Sequence, residues 1–105
     1  MNAQDLIEGL ARNFNTRDED RLAEIFTDSA VVQDGGREYR GPSGIRHWIR
    51  STIARYAVNL RILTVSGQGQ SWLFDAEVSG TFEGSPIRLE HNLVIEGGKI
   101  ARLDI

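Results

Sequence analysis

Near residue 57 the apolar residues of this chain change period, from every third or fourth position to every second. A helix buries a stripe at the first spacing, and a half-buried strand buries one face at the second. The chain therefore divides into a helical beginning and a strand-rich end. Over residues 3 to 14, Leu6, Ile7, Leu10, Ala11 and Phe14 share a helical face, with Asn2 as N-cap and Asp5 three residues on. Thr16 and Glu19 have capping-box spacing ahead of Leu22, Ala23, Ile25 and Phe26, which predicts a short second helix from near Arg17 to Asp28. Residues 30 to 33 read as a strand, Gly35-Gly36 as a tight turn and 37 to 40 as a returning strand. Gly41-Pro42-Ser43 then opens a third helix, striped by Ile45, Trp48, Ile49, Ile53 and Tyr56.

Beyond it, strands are expected at about 58–66, 70–83, 86–96 and 99–105, separated by glycine-bearing turns. Helices first and a meander after define an α+β fold, with three helices on one side of a strongly bent antiparallel sheet, in a single domain over residues 1–105. In the strand at 70–83, Trp72, Phe74, Ala76, Val78 and Phe82 make a dry face. In the strand at 86–96, Ile87, Leu89, His91, Leu93 and Ile95 alternate with Arg88, Glu90, Asn92 and Val94. Arg88, Glu90 and Asn92 either face water or project into an enclosed space beneath the helices. In the second case the apolar strip lies on the outer face of the sheet. A homodimer through that face would cover it.

Composition narrows the chemistry. A net charge of −3 argues against nucleic acid as a partner. The chain has no Cys, and His47 and His91 are its two imidazoles, so no metal site is expected. No apolar run approaches the ~18 residues of a membrane span, and MNAQDLIEG lacks the basic start of a secretory signal. A cytoplasmic location is expected. Asp34 then poses a choice. Ahead of Gly35-Gly36 it suits a turn, where Asp bonds its own backbone, but it is also a carboxylate at the end of a strand.

The stretches FTDSAVVQD, YRGPSGIRHWI and HNLVIEGGKIARLDI, in this order, resemble the NTF2-like superfamily in its SnoaL-like branch, across essentially the whole chain. The resemblance implies a cone, with the sheet curled around a pocket that the helices close. In the ketosteroid isomerases of that superfamily the general base is an Asp at the end of the strand after helix two, which matches Asp34. A second acid, kept neutral by an apolar site, donates to the developing oxyanion, and Glu90 is its match. The implied pocket lining is Leu10, Phe14, Trp48, Phe74, Val78 and Phe82, together with Arg88 and Asn92.

Two departures stand out. Leu10 replaces the Tyr that those isomerases use as oxyanion donor, and Ile49 replaces a further aromatic hydroxyl. Losing one such donor costs about 10²–10³ in rate, so efficient steroid isomerisation is not expected. The resemblance implies instead proton transfer alpha to a carbonyl on a small hydrophobic cyclic compound, without metal or organic cofactor. The alternative is a non-catalytic ligand-binding or dimerisation module. Epoxide hydrolysis is a third reading, for which Asp104, Arg88 and Glu90 are available.

Overall fold

Asn2 starts the fold as its side chain dictates. In the computed structural model, which describes residues 2–105, its Oδ1 accepts the Asp5 N–H at 2.8 Å and α1 spans Ala3–Asn15. Leu6, Ile7, Leu10 and Phe14 are buried along one side of it. α2 spans Glu19–Glu24 and is capped by Asp18, whose Oδ1 accepts the Arg21 N–H at 3.1 Å. Thr16 is therefore not the cap its spacing suggested, and it closes α1 instead. The reason is Arg17, which takes φ 62° and turns the chain between the helices. Its guanidinium donates to the carbonyls of Phe14, Ala57 and Val58, tying this turn to the end of the third helix.

β1 (Phe26–Asp34) and β2 (Arg37–Arg40) form a hairpin closed by Gly35 and Gly36, at φ 59° and 82°. Positive φ at both positions is what a two-residue turn of matching twist requires. α3 (Gly41–Tyr56) follows at once, with Pro42 in its first turn, and buries Ile45, Trp48 and Ile49. β3 (Asn59–Gln68), β4 (Ser71–Ser79), β5 (Ile87–Glu96) and β6 (Lys99–Asp104) then make an antiparallel meander. The sheet order is β2-β1-β6-β5-β4-β3. The fold is α+β, with one departure from an all-antiparallel sheet: β1 runs parallel to β6, Val32 beside Leu103. Register shifts in the β1–β6, β3–β4 and β5–β6 ladders bend the sheet, which stays open.

β4 stops at Ser79 rather than continuing to residue 83. A Cβ on Gly80 would stand 2.2 Å from the Tyr56 carbonyl oxygen, and Thr81 donates its N–H to that oxygen at 2.8 Å. The backbone is thus drawn off the sheet onto the end of α3, an approach only glycine permits. Phe82 leaves the strand and packs edge-on against Tyr56, ring centroids 6.0 Å apart.

Cross-strand register decides the faces of β5. Phe74, Ala76 and Val78 pair with His91, Leu89 and Ile87. Directly paired residues share a face, and this is the dry face of β4, turned toward the helices. The strip of Ile87, Leu89, Leu93 and Ile95 therefore points inward, with Leu93 buried and Leu89 and Ile95 packed on the core. It is not the uncovered outer strip from which a dimer was inferred. The outer face is ionic instead: Arg61 meets Glu77 and Arg88 meets Asp75, each at 3.1 Å. Hydrogen bonds from Thr64 and Arg88 hold the Asp75 carboxyl below the usual range. Among the described residues no helix is long and apolar enough to cross a membrane.

Candidate active site

Period two fixes where Asp34 points. On β1 it shares a face with Ala30 and Val32, both fully buried. The turn takes its shape from Gly35 and Gly36, while the carboxylate is engaged elsewhere: Oδ2 accepts the indole N–H of Trp48 at 2.9 Å. Trp48 is itself fixed by edge-on contacts to Phe14 and Phe26, ring centroids 5.4 and 6.0 Å away. A buried indole needs a partner for its N–H, and Asp34 supplies one. The core thus orients the acid.

Asp34 opens onto a cavity of about 310 Å³ between the helices and the sheet. That is the small end of the roughly 300–1,000 Å³ of ligand cavities, room for one or two rings. Its walls are mostly apolar, with Leu10 and Phe14 from α1, Val78 from β4 and Phe82 from the following loop. Trp48, Thr52 and Tyr56 approach from α3, and Leu89 and His91 from β5.

Besides Asp34 the lining holds one imidazole, that of His91. Its ring stacks on Phe74, centroids 4.3 Å apart and planes 7° from parallel. Nδ1 lies 3.2 Å from the Leu89 carbonyl oxygen. A carbonyl only accepts, so the neutral ring keeps its proton on Nδ1 and presents Nε2 as an acceptor. Burial pushes His91 below the ordinary imidazole value, against the Leu89 carbonyl, Asp34 and Asp75, which all favour the proton. Nε2 is not sealed off: among the described residues Thr27 Oγ1 is the one buried side-chain atom without a partner.

Of the residues singled out from sequence, Asp34, Leu10, Phe14, Trp48, Val78 and Phe82 line the cavity. Phe74 lies behind the His91 ring, fully buried. Glu90 does not enter. Strand alternation puts it on the outer face, exposed, with Asn92 Nδ2 at 3.3 Å. Arg88 and Asn92 stand on that same outer face, exposed to water. Asp104 pairs with Arg102 at 2.8 Å, so Asp104, Arg88 and Glu90 do not gather in the cavity. The residue that does enter from β5 is His91, one position on from Glu90. Its signal was present in sequence, as a lone polar side chain on an otherwise aliphatic face. Among the described residues no three His, Asp or Glu side chains converge as a metal centre requires.

Residues 7–103 match the SnoaL-like domain family. The chain belongs to it. A candidate polyketide cyclase from Sinorhizobium meliloti is 32% identical to this SnoaL-like protein, with a TM-score of 0.91 over 95% of this chain and 92% of that one. Two more distant structures share the fold. One, from Catenulispora acidiphila, has a ketosteroid isomerase-like fold and was solved with trimethylamine; it is 19% identical, with a TM-score of 0.82 over 94% of this chain and 82% of that one. The other is an epoxide hydrolase/cyclase-like enzyme of pyran ring formation in the polyether salinomycin, 20% identical, with a TM-score of 0.82 over 96% and 86% of the two chains. No protein of curated function matches the sequence.

Proposed function

We propose that this SnoaL-like protein moves a proton on a small ring-bearing carbonyl compound, with Asp34 as its acid–base group. The observation that carries the reading is the aim of Asp34 into an apolar cavity, one oxygen held by Trp48 and the other left for a ligand. The free oxygen takes a proton from the carbon beside the carbonyl, and the electron pair of that C–H bond becomes the enolate. Returning the proton to a different carbon completes an isomerisation. Returning it to the alkoxide formed when the enolate carbon attacks a second carbonyl completes a ring closure. No electrons are gained or lost in either course. The hydroxyls of Thr52 and Tyr56 are the lining donors available to the enolate oxygen, since Leu10 offers none. The likeness to a candidate polyketide cyclase supports the ring-closing course.

The test is proton–deuterium exchange at the alpha carbon across a panel of cyclic ketones and β-keto compounds. Exchange above the buffer rate is expected in the parent, falling by about 10²–10⁴ in Asp34→Asn, the usual loss for a general base. Exchange that survives intact in Asp34→Asn would remove Asp34 from the chemistry. One observation favours a second reading, passive binding of the same class of molecule: Glu90, the acid meant to assist Asp34, lies outside the cavity.

A further inference from the structure

Asp34 and His91 present different hydrogen-bonding demands to whatever fills the cavity. One Asp34 oxygen is already occupied by Trp48. The Thr52 and Tyr56 hydroxyls donate or accept by rotation, so they accommodate either polarity. His91 is fixed. Its stack on Phe74 and its contact with the Leu89 carbonyl hold the ring in one orientation and one tautomer.

We propose that His91 reads the polarity of the ligand: its Nε2 accepts an O–H from the bound molecule, so the cavity selects phenolic or enolic ring compounds over isosteres that lack that donor. The inference rests on the reading that the cavity holds a small ring-bearing molecule, and it is independent of turnover. An apolar ligand strips water from Nε2 and leaves a buried acceptor unpaired, which is costly. A ligand hydroxyl replaces that water. Such a group also suits the proposed chemistry, because a 1,3-dicarbonyl offers an O–H in its enol form and an acidic carbon in its keto form. His91 is therefore a specificity-determining residue, and its role is the reverse of an oxyanion donor.

Two measurements test this. The first is the affinity of 2-naphthol and 2-methylnaphthalene for the parent and for His91→Phe, which keeps an aromatic ring against Phe74. Taking the ratio of the two affinities within each protein cancels the difference in transfer from water. That ratio, 2-naphthol over 2-methylnaphthalene, is expected to fall about tenfold in His91→Phe, the size of one lost hydrogen bond. The second needs no variant: the ¹⁵N resonance of Nε2 at about pH 8 should be that of an unprotonated nitrogen and should shift when 2-naphthol is added. An unchanged ratio in His91→Phe overturns the proposal, as does a protonated Nε2 in the free protein. A ratio lost in Asp34→Asn and kept in His91→Phe assigns the hydroxyl to Asp34 and overturns it equally. Deuterium exchange is not read in either measurement, so a protein that binds without turnover still passes or fails.

Discussion

Trp48 and Asp34 are joined by one hydrogen bond, Nε1 to Oδ2 at 2.9 Å, and it connects the middle of α3 to the end of β1. One partner belongs to the core and the other to the cavity, so the bond transmits packing into aim. Trp48→Phe keeps most of the buried ring and deletes the donor. Denaturant unfolding should show a loss of about 1–3 kcal/mol, from the broken bond and the smaller ring together. Alpha-proton exchange should fall more than tenfold, because the carboxylate is no longer held. Parent-level exchange in this variant would show that Asp34 needs no such support.

Glu90→Gln provides the opposite control. The side chain stands exposed on the outer face beside Asn92. Stability should stay within about 0.5 kcal/mol of the parent, and ligand affinity and exchange should not change. A turnover defect in Glu90→Gln would mean that the outer face takes part in the chemistry.

His91 makes stability depend on pH, and the sign follows from its burial. Its folded value lies below the ordinary 6.5, so beneath that pH the unfolded chain binds a proton that the native protein does not. Native stability therefore falls as pH drops from about 6.5 toward the folded value, then levels off. Above that window His91 contributes no slope. Asp34 from β1, which lines the same cavity, and Asp75 on the outer face of β4 both favour the proton and narrow the window, while the helices bring only neutral side chains to the ring. Unfolding the parent and His91→Phe at about pH 8, 6.5 and 5 isolates the effect. The parent should lose more stability than the variant across the lower interval, and equal losses would contradict the assignment.

Gly80→Ala tests the loop that carries Phe82. The added Cβ would meet the Tyr56 carbonyl oxygen at 2.2 Å and the Phe82 ring at 3.2 Å. The loop must move off the end of α3, and thermal unfolding should show a loss of about 1–3 kcal/mol. Because Phe82 lines the cavity, affinity for 2-naphthol should weaken in the same variant. An unchanged melting temperature would show that the loop yields without cost.

The local signals in this sequence were legible and the pairwise ones were not. Asn2 announced its helix, Gly35-Gly36 its hairpin, and alternation along β4 its buried face. Thr16 misled because a capping-box spacing says nothing about Arg17, whose left-handed backbone moves the cap to Asp18. On β5, alternation separated Glu90 from His91 correctly. Which of the two enters the cavity depends on pairing with Phe74 across the ladder, information held in neither strand alone. The parallel contact of β1 with β6 is of the same kind. Asp34 is legible through the resemblance, as the acid at the end of the strand after helix two, and its parity with Ala30 and Val32 then turns it inward. His91 is missed from sequence because placing Glu90 in the pocket turns the strip that carries His91 to the outer face.

That parallel contact has a kinetic consequence. Each hairpin of the sheet closes between neighbours in sequence, but β1 meets β6 only after the chain has travelled through α3 and the whole meander. Closing so long a loop carries a large entropy cost before any native contact repays it, and such pairings form late. Asp34 rides on β1 and His91 on β5, so a species holding only the meander has one wall of the cavity without the other. A molecule that touches both walls therefore recognises only the completed sheet. It would act as a folding chaperone of small size, drawing the last docking step toward the native state by mass action and retarding its reversal.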